Sequence, residues 1–448
     1  MLSKFELKLF TKNKNRFILL FIVVISNCLN IYSQSKYLIK DKEGFDFILN
    51  VNIDGNIISG FTRENALLDY ASKLQFQLVK AASSLKHPEI IRFNGTLTND
   101  NFEGAYDYLF SSYKIKGNID ADSISFLLYQ DDNEVFKSLK GGKITNYIEK
   151  DYVKLSEQVI KVTEENIFDP KLMQSKKWKE FKTKIMKAAP EISDDLEFQT
   201  GFFALARKIG FSHYYIIPKI TSIYREREKA SLKEIAENTI MLKVGNFHEK
   251  KENIKPLLDT ILQKDYKNLI IDIRDNSGGS FESVFLIANF LTDKEYISGF
   301  FPNRKWYEEY KRLPNKSDID KFYLMTGEIS RVDSDYGFYI STKGVEDNFK
   351  GKTYILTNKK TGSSAEALVI GAKEYNLATI IGEKTAGGLL NAKQFNIDDD
   401  IILIVPINDF ISYNGFRVDQ KGIKPDVELK NEKAIDQQIL DITKKEAL

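Results

Sequence analysis

A chain of 448 residues is too long for one compact core, and at roughly 150 residues per domain it should divide into about three. A hydrophobic content of 42% is ample for packed domains, while 65 basic against 63 acidic residues leave a net charge of only +2. No global field therefore draws the molecule toward nucleic acid or anionic lipid, and its many lysines read as solvated surface.

The first 34 residues have the make-up of a secretory leader. Lys4, Lys8, Lys12, Lys14 and Arg16 precede an apolar run from Phe17 to Ile25, which gives way to Ser26 and Asn27 and then to a small residue at Ser33. A spanning helix needs about 20 apolar residues and this run is shorter. The expectation is export to a periplasmic or extracellular space, cleavage near Ser33 or Gln34, and no stable membrane insertion afterwards. The only cysteine, Cys28, lies in the leader, and a lipid anchor there is the weaker alternative because Asn27 is not the small residue that usually precedes one. A mature chain without cysteine has no disulfide, thiolate metal site or cysteine nucleophile.

Residues 36–140 read as a β-rich domain. Short runs at Phe45–Ile53, Ile57–Phe61, Ile90–Leu97, Asn101–Tyr108, Tyr113–Ile119 and Ser123–Tyr129 are separated by turn signals such as Asp54-Gly55 and Asn94-Gly95, which suggests a small barrel or sandwich. From residue 144 the period changes. Tyr152, Leu155, Val159 and Val162, then Trp178, Phe181 and Ile185, then Phe198, Phe202, Leu205 and Ile209 recur at helical spacing, so residues 144–232 form a helical module that ends around His213. Residues 225–234 read as a charged connector. Beyond it strands and helices alternate: strands at Thr239–Val244, Asn268–Ile273, Thr353–Leu356, Ala378–Ile381 and Ile401–Val405, with helices at Phe281–Leu291 and Glu366–Glu374. This is an α/β domain over 236–431, followed by a C-terminal helix within 432–448.

Four segments carry candidate chemistry. Thr361-Gly362-Ser363-Ser364-Ala365-Glu366 lies between a strand and an apolar helix, where a serine hydroxyl can face out of the sheet edge beside a helix N-terminus. Its plain alternative is an S-x-x-E capping box made by Ser363 and Glu366. Asp275-Asn276-Ser277-Gly278-Gly279-Ser280 follows a buried strand, and paired glycines there let backbone amides approach a ligand, though a simple βα turn looks the same. No G-x-G-x-x-G or G-x-x-x-x-G-K spacing occurs, which removes support for nucleotide binding. Gly210-Phe211-Ser212-His213-Tyr214 ends the helical module; His213 is either a base or an ordinary hydrogen-bonded core histidine. The other histidines, His87 and His248, lie apart from it, and three so dispersed argue against zinc. Gly415–Pro425 holds Asp419, an acid that either orients a base or decorates a surface turn.

In this order the four segments resemble the tail-specific, or C-terminal processing, serine peptidases. NLIIDIRDNSGGS (Asn268–Ser280), YILTNKKTGSSAEA (Tyr354–Ala367), IIGEKTAGG (Ile380–Gly388) and GIKPDVEL (Gly422–Leu429) look like that family's landmarks, and the resemblance covers roughly residues 196–445. It implies a crotonase-like α/β peptidase core, a polypeptide substrate, no cofactor and no metal. It also implies Ser363 as nucleophile, with an oxyanion hole from the amides of Gly278 or Gly279 and of Ser364. One branch of the family pairs its serine with a lysine 25 residues on, and Gly388 stands there. The resemblance is therefore to the tricorn-like branch, with His213 as base supported by Ser212 and by Asp419, where glutamate is usual. No PDZ module fits between His213 and Thr239. The reading is an exported endopeptidase; an exported ligand-binding protein on the same fold is the alternative, and Lys384 or Lys393 is the alternative base.

Overall fold

The structure is a computed structural model that describes residues 34–63, 90–108, 111–131, 134–146, 150–219, 229–325 and 336–444. The expected leader up to Ser33, Cys28 and His87 lie outside the described residues. The chain divides into two units, Met1–Lys150 with Glu191–Gly201, and Asp151–Pro190 with Phe202–Leu448. The expected helical module thus does not stand as a unit of its own.

In the first unit eight strands form a closed barrel: β1 (Ser35–Lys40), β2 (Phe47–Asp54), β3 (Ile57–Phe61), β4 (Ile91–Thr98), β5 (Asn101–Tyr108), β6 (Ser111–Ile119), β7 (Ser123–Asp131) and β8 (Glu134–Lys143). Each pairs antiparallel with the next, and β8 closes on β1 through Lys143 opposite Tyr37. Closure, rather than a sandwich, removes the free edges. Alternating side chains point inward, and the rings of Phe93, Phe102, Phe126 and Tyr106 fill the interior with centroids 5.6–6.5 Å apart. Glycines of neighbouring strands make room for them: a Cβ at Gly117 would lie 2.4 Å from Phe102 Cζ and 2.6 Å from the Ser125 carbonyl. The Glu191–Gly201 stretch carries Asp194, whose carboxylate accepts the N–H groups of Ile48 and Glu197, and Glu197, which is chelated by Arg63.

The helices are α1 (Tyr152–Asn166), α2 (Lys176–Ala188) and α3 (Asp195–Ala206), the last of which belongs to both units. In the second unit Trp178 stacks on Phe181, Phe181 meets Phe202, and Phe202 meets Tyr214 at 5.3 Å. The Tyr214 hydroxyl also bonds Thr163 Oγ1 at 2.9 Å. Those contacts fix the residue next to His213 before any chemistry is considered.

The rest of this unit contains β9 (Tyr215–Pro218), β10 (Ser231–Ala236), β11 (Thr239–Lys243), α4 (Lys251–Leu262), β12 (Asn268–Asp272), α5 (Phe281–Phe290), β13 (Tyr296–Pro302), α6 (Arg304–Glu309), β14 (Tyr323–Met325), β15 (Gly337–Thr342), β16 (Lys352–Thr357), α7 (Ser364–Glu374), β17 (Thr379–Gly382), β18 (Asn391–Asn396), β19 (Ile401–Asn408), β20 (Ile411–Ser412), β21 (Val427–Glu428) and α8 (Glu432–Lys444). β10 occupies part of the stretch expected as connector. The main sheet runs β10-β11-β12-β16-β17-β21 and is parallel from β11 to β21. β12 is buried on both faces, as its uninterrupted apolar run requires. Leu269 and Ile271 face α4, α5 and α7, whereas Ile270 packs with Ile435 and Ile439 of α8. Two smaller sheets, β14-β15-β13-β20 and β18-β19-β9, complete the unit.

Candidate active site

Open α/β sheets place their ligands outside the carboxyl ends of the parallel strands. Here four such ends, those of β11, β12, β16 and β17, lead into loops that are tied together. Thr361 Oγ1 donates to the Ile273 carbonyl at 2.9 Å, Gly362 N–H to the Asn276 carbonyl at 3.0 Å, and Ala386 N–H to the Thr361 carbonyl at 2.8 Å. Asn276 is buried and bridges two more, its Nδ2 donating to Val244 O at 2.9 Å and its Oδ1 accepting from Gly278 N–H at 2.9 Å. Phe247 N–H donates to the Gly278 carbonyl at 3.0 Å.

Ser363 stands at the centre of this weave. Its backbone has φ 54° and ψ −129°, inside a turn closed by Ala365 N–H to the Gly362 carbonyl at 3.2 Å. That is a glycine-preferring conformation, and holding a serine in it stores roughly 1–3 kcal/mol of strain. Ser363 and Glu366 form a capping box, in which the Glu366 N–H faces the Ser363 hydroxyl while bonding the Ser363 carbonyl at 2.8 Å. The hydroxyl acts there only as an acceptor, so its hydrogen is left for another partner. Gly278, at φ 100°, abuts it: a Cβ there would lie 2.6 Å from Ser363 Cβ and 2.9 Å from Ser364 N. Gly278 spends its own N–H on Asn276, so the amides beside Ser363 that have no hydrogen bond to another described residue are those of Gly279 and Ser364.

Glu366 is completely buried and holds the next loop. Its carboxylate accepts from Ser363 N–H at 3.2 Å, Thr385 Oγ1 at 2.5 Å, Gly387 N–H at 2.8 Å and Gly388 N–H at 2.7 Å. Burial pushes its pKa up, against these four bonds. Gly388 in turn faces the base segment, where a Cβ would lie 3.6 Å from Ser212 Cβ. Ser212 Oγ and His213 Nδ1 are hydrogen-bonded at 2.8 Å. Ser363 and His213 are therefore linked by a short path of contacts through Glu366, Gly388 and Ser212.

Burial lowers the His213 pKa to about 4, so its ring is neutral at physiological pH. Asp419, 4% exposed, is raised to about 6 by burial, with Ser212 and Arg417 pulling the other way. Ser212 lies near enough to act on Asp419, yet neither carboxylate oxygen receives a hydrogen bond of normal geometry. His248 and the lysines at 384 and 393 are exposed. Among the described residues no group of three or more potential ligands gathers to hold a metal.

Residues 238–429 match the sequence model of peptidase family S41. That segment is a peptidase family S41 domain, and the chain is similar there to tail-specific peptidases. The S41 domain is thus a serine-type peptidase domain. The tail-specific protease of Haemophilus influenzae is 24% identical over 210 residues, 45% of this chain and 25% of that protein. Carboxy-terminal processing protease CtpA of Bacillus subtilis is 24% identical over 211 residues, 46% of this chain and 37% of its own. The chain spans between 25% and 37% of the length of these relatives. The crystal structure of the tricorn protease is similar at a TM-score of 0.42 with 11% identity, covering 90% of this chain and 46% of that one.

Two S41-domain residues at this corner escaped the sequence reading. Asn276 looked like turn filler, and Glu366 like a helix cap. The signal available for both was a polar residue flanked by positions that must be buried, at the end of a strand and in the first turn of an apolar helix.

Proposed function

We propose that the protein is an exported serine endopeptidase whose crotonase-like core hydrolyses polypeptides through an acyl-enzyme on Ser363. His213 takes the Ser363 proton and returns it to the departing amine. With Nδ1–H donating to Ser212 Oγ, the Nε2 lone pair is left for the nucleophile, and the Ser212 hydroxyl can pass its own hydrogen to Asp419. The Asp419 charge then offsets the imidazolium that forms. The amides of Gly279 and Ser364 receive the oxyanion, each worth roughly 3 kcal/mol in sites of this type, and Gly278 leaves the room that the approaching carbonyl needs. β18 leaves Gly388 as an edge strand of its sheet, and its outer edge suits an extended polypeptide. No helix among the described residues is long and apolar enough to cross a membrane; export rests on the leader's composition.

The observation that supports this reading best is the strained Ser363 turn, its hydroxyl hydrogen still to give beside the amides of Gly279 and Ser364, connected through Gly388 to the Ser212–His213 pair. The test is digestion of an unfolded protein, with product termini read by mass spectrometry, and labelling by an acylating probe. Wild-type protein should cleave and be labelled at Ser363, and Ser363→Ala should lose at least about 10⁴-fold in rate. Equal cleavage by both proteins refutes the reading, and failure of the wild type to be labelled favours a ligand-binding role.

A further inference from the structure

Asp419 follows a hairpin whose two sides meet where Ile411 faces Arg417. Arg417 Nε donates to Asp409 Oδ1 at 3.0 Å. Asp409 is 1% exposed and also accepts from the Tyr307 hydroxyl at 2.8 Å and from Phe410 N–H at 2.9 Å. The guanidinium lies over the Phe168 ring, 5.7 Å from its centroid. Phe168 meets Phe211 edge-on at 5.2 Å, and Phe211 directly precedes Ser212 and His213. One cation thus acts by charge on the segment bearing the acid and, through the Phe168 ring it stacks on, reaches the segment bearing the base.

A buried carboxylate with only the Ser212 hydroxyl facing it is helped by a neighbouring cation to remain ionised. The groups facing Asp419 are Ser212 beyond α3, Arg417 on its own segment, Asp409 from the corner between β19 and β20, and Glu366 from α7. Arg417 is the cation of this set. Its partner Asp409 is shared with Tyr307, which Asp169 also faces. We propose that Arg417 is a positioning residue for the peptidase reaction: clamped by Asp409, it keeps Asp419 charged and braces the Ser212–His213 segment through Phe168 and Phe211. This rests on the peptidase reading above and assigns its relay a support outside the reacting groups.

The test is the pH profile of kcat/KM on an unfolded protein substrate between pH 4 and 8, with thermal unfolding measured alongside. In Arg417→Gln the acidic limb should move up by about one pH unit, because Asp419 loses its cation. In Asp409→Asn it should move down, because Arg417 is no longer neutralised and a like charge is gone. Arg417→Lys should keep the limb near the wild-type position while lowering kcat through the lost stacking. A merely structural role predicts slower turnover with the limb unmoved in every variant, and that result, or shifts of one sign in both Arg417→Gln and Asp409→Asn, overturns the proposal. Should Arg417→Gln not fold, the direction of the Asp409→Asn shift decides. Retained hydrolysis in Ser363→Ala would sink the peptidase reading itself, whereas an inactive Ser363→Ala with unmoved limbs sinks only the role of Arg417.

Discussion

Two aspartates show how the barrel unit differs from the α/β unit. Asp194, 5% exposed, is raised to about 7 by burial, and it accepts the N–H groups of Ile48 at 2.9 Å and Glu197 at 2.8 Å. Asp419, 4% exposed, is raised to about 6 by burial and accepts none. Equal burial therefore serves opposite ends. One carboxylate is consumed in joining backbone segments; the other joins none, which makes it the candidate for a working group. The glycines repeat the contrast. Gly117 yields space to an interior ring, while Gly278 yields it to Ser363.

The glycine pair offers the largest test. Gly278→Ala puts a methyl group against Ser363 at a backbone angle that L residues avoid, so kcat should fall by about 10²-fold or more. Gly117→Ala should leave kcat intact and cost roughly 2 kcal/mol of stability through overpacking. Loss of activity in Gly117→Ala at temperatures where it remains folded would break the division of labour.

The aspartate pair gives an intermediate effect with a defined sign. Both folded pKa values lie above the reference of 3.8, so the folded state holds the extra proton. The associated stability is complete below that reference and is lost as pH rises through about 6 for Asp419 and about 7 for Asp194. Asp419→Asn should therefore stabilise the protein by roughly 2 kcal/mol at about pH 8 and by little at about pH 3.5, while slowing hydrolysis. Asp194→Asn should gain less, because one amide oxygen must replace two acceptors. Denaturant unfolding at the two pH values measures both, and equal gains would erase the distinction.

The smallest effect concerns the turn itself. Ser363→Gly should be inactive yet more stable than wild type by about 1 kcal/mol, since glycine adopts this conformation without strain. A lower melting temperature would show that the serine is not strained.

Much of the fold was legible because local pattern and final burial agree. The six expected barrel strands lie within a few residues of β2 to β7, where apolar and polar positions alternate. β1 was hidden beside the leader. β8 was hidden because only Leu139 and Gly141 of its ten residues are buried, and its charged side chains blur the period. α4 went unread behind the polar stretch around His248. At the candidate site, the Ser363 turn and the glycine pair were visible as strand-end motifs. The partners of Glu366 were not, since Thr385, Gly387 and Gly388 lie about 20 residues away and reach it only through folding. The capping box of Ser363 and Glu366 was legible because both residues lie in one turn, whereas the bonds that Glu366 makes beyond it were not.

The surroundings of Gly388 bear on how such enzymes can diverge. This position corresponds to the lysine of the other branch, and its amide is already tethered to Glu366 with Ser212 a single van der Waals contact away. A Cβ growing from it would meet Ser212 at an ordinary 3.6 Å, so a longer basic side chain would begin beside the residue bonded to the imidazole. A second proton acceptor can therefore be tried at this loop while the first is still in place.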